Sequence, residues 1–94
     1  MPCFVYIIGS ESKNWIKNSG RFRTYVGWST DLEKRLKSHN SGVGAKSTRG
    51  RHWKLIYAER YNNRGEAMSR EWHLKRDRRF RKALAENSSN VNFL

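Results

Sequence analysis

Phe4-Val5-Tyr6-Ile7-Ile8 and Thr24-Tyr25-Val26-Gly27 are the stretches whose reading decides the fold. Both are dense in β-branched and aromatic residues, the composition of a strand, and each carries one tyrosine inside it. Along the first strand, Cys3–Ile8, alternation sends Phe4, Tyr6 and Ile8 to one face and Val5 and Ile7 to the other. The second strand spans Arg23–Trp28. Between them Glu11–Phe22 is polar, with Asn14, Asn18, Ser19 and Gly20 as turn formers. It is too long for a tight hairpin turn, so the pair reads as a hairpin with an elaborated loop whose Trp15 and Ile16 fold back on the domain.

Moving outward, Ser29-Thr30-Asp31-Leu32-Glu33 begins a helix. Thr30 with Glu33 three residues on fits a capping box. Leu32 and Leu36 face the core, while Arg35 and His39, four apart, share another face. Asn40-Ser41-Gly42 ends the helix. The segment Gly42–Arg51 is a flexible basic loop, and its Lys46, Arg49 and Arg51 suit phosphate contacts; it is not a P-loop. A third strand follows at Trp53–Tyr61, with Leu55, Tyr57 and Glu59 alternating with Ile56, Ala58 and Arg60. Asn62-Asn63-Arg64-Gly65 is a turn, and Glu66–Ala85 is one long helical run with Met68, Trp72, Phe80 and Leu84 as its core stripe. The order β-β-α-β-α predicts an α+β domain over residues 1–85, a small antiparallel sheet flanked by helices, and a polar tail over 86–94.

Composition narrows the function. Ninety-four residues make one domain with a small core. The net charge of +12 calls for a polyanionic partner, nucleic acid before an anionic membrane. No stretch approaches the roughly 18 apolar residues of a membrane span, and no signal peptide is visible. Cys3 is the single cysteine, which excludes an intrachain disulfide and a cysteine-built zinc site and favours an intracellular location, cytoplasm, nucleoid or nucleus.

Five residues stand out as chemistry, each with a plainer reading beside it. Glu71 lies among many cations and suits one Mg²⁺, whose other positions would be filled by water and phosphate oxygens; plainly, it is a helix glutamate paired with Lys75. Tyr6 and Tyr25 sit mid-strand on neighbouring strands and suit general-base work near a cation; plainly, they are half-buried strand tyrosines. Arg35 suits bidentate phosphate binding, or is simply solvated. His39 suits proton transfer, or steadies a helix C-terminus.

Together these residues resemble the GIY-YIG endonuclease family. Phe4-Val5-Tyr6 stands where the family has Gly-Ile-Tyr, with the glycine replaced, and Tyr25-Val26-Gly27 stands for Tyr-Ile-Gly. The helix with Arg35 and His39, the blocks His39-Asn40-Ser41-Gly42 and Gly44-Ala45-Lys46-Ser47-Thr48-Arg49-Gly50, and Glu71 within Arg70-Glu71-Trp72-His73-Leu74-Lys75 follow in the family's order. The likeness runs from about Phe4 to Leu84 and is greatest to small stand-alone members and to catalytic domains of structure-specific nucleases. It implies a core sheet of three antiparallel strands and metal-dependent hydrolysis of DNA. It implies that Glu71 holds a single Mg²⁺ or Mn²⁺, that Arg35 grips the scissile phosphate, and that Tyr6 and Tyr25 line the water site, one of them as base. His39 would support a tyrosine, and Gly27, Lys46, Arg49, Arg51 and Lys75 would lie along the nucleic acid. The loop between the tyrosines is long for the family and brings Lys13, Trp15 and Lys17 toward DNA. With no second domain expected, sequence specificity should be low, with branched or nicked DNA recognised by shape or targeting supplied by a protein partner. Two other functional classes stay open at this level: a nucleic-acid-binding module that does not cut, and a basic scaffold subunit. A steep salt dependence of binding separates both DNA readings from the scaffold.

Overall fold

The computed structural model describes residues 2–11, 22–44 and 52–90. Its elements are β1 (Cys3–Glu11), β2 (Phe22–Ser29), α1 (Leu32–Ser41), β3 (Lys54–Tyr61), α2 (Arg64–Arg76) and α3 (Arg78–Asn90). The strands form one antiparallel sheet in the order β2-β1-β3. This is the expected α+β arrangement. The loop residues Lys13, Trp15, Ile16 and Lys17 lie outside the described residues, as do Lys46, Arg49 and Arg51 and the end of the chain from residue 91.

The position of β1 follows from its composition. A strand apolar on both faces has to be covered on both, so it takes the centre, and Val5, Ile7 and Ile8 are fully buried. On one face Cys3, Val5, Ile7, Val26 and Ile56 meet Ala67 and Leu74 of α2, with Phe80 and Leu84 of α3 at the margin. On the other, Tyr6, Ile8 and Trp53 pack with Tyr25 and with Leu32 and Leu36 of α1. The sheet is therefore sandwiched, and the alternation expected along β1 decides which residues meet which helix. Each fully buried aliphatic side chain contributes about 1.5–3 kcal/mol. Among the described residues, no helix is long and apolar enough to cross a membrane.

Four local expectations are corrected. In β3, Tyr57 pairs with Ile7 but Leu55 pairs with Ile8, so Ile56 is a bulge residue and joins the same core as Tyr57. The helix cap of α1 is Asp31 rather than Thr30: its carboxylate accepts from the Lys34 N–H at 3.1 Å, and the Ser29 hydroxyl accepts from the Asp31 N–H at 3.0 Å. The long run Glu66–Ala85 is two helices. Asp77 leaves helical geometry (φ −92°, ψ 80°) while its side chain caps α3 through the Phe80 N–H at 3.0 Å. Helix α3 runs on to Asn90. Finally, Met68 and Trp72 are no core stripe, being 44% and 53% exposed; Ala67 and Leu74 take that place. The helix stop was read correctly, with Gly42 left-handed at φ 87° and its N–H directed at the His39 and Ser38 carbonyls.

Helix α2 is tied to β3 at one carboxylate. Arg70 donates to Glu59 through Nε at 2.9 Å and through its second terminal nitrogen at 3.1 Å. The hydroxyls of Tyr57 and Tyr61 donate to the same group. Burial pushes the Glu59 carboxyl up, but the donors from Arg70, Tyr57 and Tyr61 outweigh it and hold the group at about 2.

Candidate active site

The register of the sheet assembles the first half of the site. Tyr6 lies opposite Gly27 and Ile8 opposite Tyr25, so both tyrosines project from one face as diagonal neighbours. Helix α1 covers that face, and the four-residue spacing of Arg35 and His39 turns both toward the phenols. His39 is fully buried, and its Nε2 lies 2.8 Å from the Tyr6 hydroxyl. Its ring also packs on Tyr25, with centroids 4.9 Å apart and planes at 59°. Arg35 interacts with both phenols, more strongly with Tyr6.

The electrostatics follow from this packing. Burial is the main influence on Tyr6 and pushes its phenol up, against a smaller lowering by Arg35; the charges of Tyr25 and Glu71 add to the rise. Tyr6 is therefore a neutral hydroxyl at ordinary pH. His39 moves the other way: burial lowers its pKa first, and the Arg35 charge lowers it further. A neutral imidazole results, able to accept the Tyr6 proton at Nε2 and to bear a second hydrogen bond at Nδ1.

Two glycines hold this pair in place. A Cβ on Gly27 would sit 2.5 Å from the Tyr6 hydroxyl oxygen and 2.7 Å from its ring carbon. Only glycine leaves room for that phenol. A Cβ on Gly44 would lie 2.7 Å from His39 Nδ1 and 2.9 Å from its Cα, so the chain after α1 rests directly on the imidazole. Sequence reasoning gave Gly44 no role of its own; a glycine soon after a helix stop was the available signal. It also read Asn40 only as a helix terminator. Asn40 in fact clamps Trp53, donating to its carbonyl at 3.0 Å and accepting from its N–H at 2.6 Å. That clamp ties the end of α1 to the residue that precedes β3.

Glu71 comes from α2, its side chain 20% exposed and its charge felt at Tyr6. Lys75 pairs with it at 3.7 Å across one helical turn, the plain arrangement foreseen for this glutamate. The pair is long and Lys75 is half exposed, so it holds Glu71 loosely. Tyr6, Tyr25, Arg35, His39 and Gly27 thus form one contiguous group, with Glu71 within electrostatic reach and Lys75 beyond it. Among the described residues, no three His, Cys, Asp or Glu side chains cluster as a metal cage. A lone carboxylate is instead a hard-oxygen donor of the kind Mg²⁺ accepts while keeping most of its waters.

Comparison with known proteins finds relatives over most of the chain. UPF0213 protein CPE1444 of Clostridium perfringens is 47% identical over 68 residues, 71% of this chain and 73% of its own length. UPF0213 protein YazA of Bacillus subtilis is 37% identical over 82 residues, 86% of this chain and 74% of its own. The solution NMR structure of UPF0213 protein BH0048 from Bacillus halodurans is 36% identical, with 94% of this chain and 86% of that one covered and a TM-score of 0.45. A sequence model of the GIY-YIG catalytic domain matches residues 2–84, a span that takes in both tyrosine strands, α1 and Glu71. The chain therefore belongs to the GIY-YIG catalytic domain family, and that domain implies nuclease activity.

Proposed function

We propose that this protein is a divalent-metal-dependent DNA endonuclease of low sequence specificity, acting on branched, nicked or damaged DNA in repair or recombination. The observation that carries the reading is the Tyr6–His39 hydrogen bond of 2.8 Å, set beside Arg35 and within reach of the Glu71 charge. In this reading Tyr6 takes a proton from the attacking water as its own proton passes to His39 Nε2. Arg35 binds the scissile phosphate and meets the negative charge that grows on its oxygens. Tyr25 shapes the water site and holds the imidazole ring in place. The water oxygen forms the new bond to phosphorus, and the ester oxygen leaves and gains a proton. Because His39 sits beside the Arg35 cation, the imidazolium is a strained state that returns its proton readily. Glu71 would hold one Mg²⁺ or Mn²⁺, which when bound polarises the phosphate and stabilises the leaving oxygen. Gly27 and Lys75, and beyond the described residues Lys46, Arg49 and Arg51, would lie along the DNA backbone.

Replacing Glu71 by Gln keeps the shape and removes the charge. Cleavage should vanish while DNA binding in EDTA is retained. A Glu71→Gln protein that cuts at the wild-type rate would remove the metal role.

A further inference from the structure

Helix α2 gives its apolar face to the sheet through Ala67 and Leu74, yet it also displays Trp72 at 53% exposure in the position directly after Glu71. Leaving an indole in water forgoes the large burial gain that tryptophan ordinarily brings. The ring is nevertheless held firmly. The Arg76 guanidinium lies over it, 3.6 Å from the centroid, and is fixed by a 3.0 Å bond from its terminal nitrogen to the Trp72 carbonyl. His73 meets the indole at 5.1 Å and 73°. A rigid aromatic plane, backed by a cation and about half open to solvent, is the surface on which a nucleobase stacks. The surrounding charge suits a polyanion: Ser69–Lys82 carries seven cations against two carboxylates.

We infer that Trp72, backed by Arg76, is a stacking platform for an unpaired nucleobase of DNA. This inference rests on the nuclease reading above and adds a substrate class to it. A continuous duplex keeps its base faces inside the stack and offers Trp72 nothing. A strand with at least one unpaired nucleotide offers a face, and any base will serve, because each has one. The platform therefore selects locally single-stranded DNA without selecting its sequence. Two rival roles differ in what they predict. A Trp72–Arg76 pair that merely stiffens the helix would change stability and leave DNA preference alone. A protein-docking role would leave all DNA binding alone.

The test is binding by fluorescence anisotropy, in EDTA at fixed salt, with the full chain and its Trp72→Ala and Trp72→Phe variants. The probes are a labelled single-stranded oligonucleotide, the same strand with abasic sites, and a blunt duplex. Trp72→Ala should weaken single-strand binding roughly 5- to 150-fold, the range for losing one stacked base, and leave duplex binding unchanged. Trp72→Phe should keep most of the affinity. Abasic sites should weaken the wild type and make no difference to Trp72→Ala. Equal weakening on both DNA forms, no weakening at all, or undiminished abasic sensitivity in Trp72→Ala overturns the platform. Cleavage of the same strands with Mg²⁺ separates the two claims. Trp72-dependent binding without cutting refutes the nuclease reading alone, and cutting with Trp72-independent binding refutes the platform alone.

Discussion

Replacing Glu59 by Gln should cost about 2 kcal/mol of stability at neutral pH, and the structure says where that figure comes from. The carboxylate takes two hydrogen bonds from Arg70 and one each from Tyr57 and Tyr61. In the fold it ionises at about 2, against 4.5 for the free side chain. At about 1.36 kcal/mol per pH unit, this sets a ceiling of about 3 kcal/mol for the charged group. Solvent reaches 19% of the Glu59 side chain and 36% of Arg70, and screening trims the value to about 2 kcal/mol. The folded carboxyl is the stronger acid, so its contribution is whole above about pH 4.5 and is lost as pH falls toward about 2. Urea denaturation followed by circular dichroism measures both effects. Wild type should lose stability through that acid window, and Glu59→Gln should start lower and lose less. Arg70→Ala should cost less than Glu59→Gln, because Tyr57 and Tyr61 still donate to the carboxylate. A Glu59→Gln protein as stable as wild type at neutral pH, or one whose acid limb runs parallel to it, would show that the cluster does not anchor α2.

Gly27→Ala drives a methyl group into the Tyr6 hydroxyl, whose ring is buried and cannot swing aside. Displacing the phenol by an ångström should slow cleavage on the order of 10²-fold while DNA binding holds, a contrast that turnover and anisotropy together would reveal. Arg35→Ala should lower turnover far more than it changes folding; loss of the circular dichroism signal would mark the arginine as structural. The pH–rate profile tests His39. Its pKa lies below 6.5, and the neutral ring is the acceptor, so activity should persist down through pH 6.5 and fall only beneath it. An acid limb centred above that value would contradict a neutral buried imidazole.

Much of this arrangement could be read before any coordinates, because it depends on short periods. Alternation along Cys3–Ile8 puts Tyr6 opposite the face of Val5, and a spacing of four turns Arg35 and His39 the same way. Longer-range phase was not legible. Met68, Trp72, Phe80 and Leu84 fall at multiples of four, but each such step advances about 40° around a helix, so the set drifts by about 160° and cannot share one face. The small Ala67 lets α2 approach the sheet and sets its true phase, and Asp77 then breaks the run. Glu59 likewise looked like one more polar residue on a strand. Its importance depends on Arg70, eleven positions later, reaching back across the sheet. The contacts of Gly44 and Asn40 were hidden for the same reason: their partners His39 and Trp53 are met only in three dimensions.

Cleavage of a labelled panel of single-stranded, duplex, flap, nicked and four-way-junction DNA tests the central claim most directly, with Mg²⁺, Mn²⁺ or EDTA in parallel. The account predicts cutting with either metal, none with EDTA, and a preference for DNA containing unpaired nucleotides. Cutting that survives EDTA, or intact DNA in every lane despite tight, salt-sensitive binding, would contradict it.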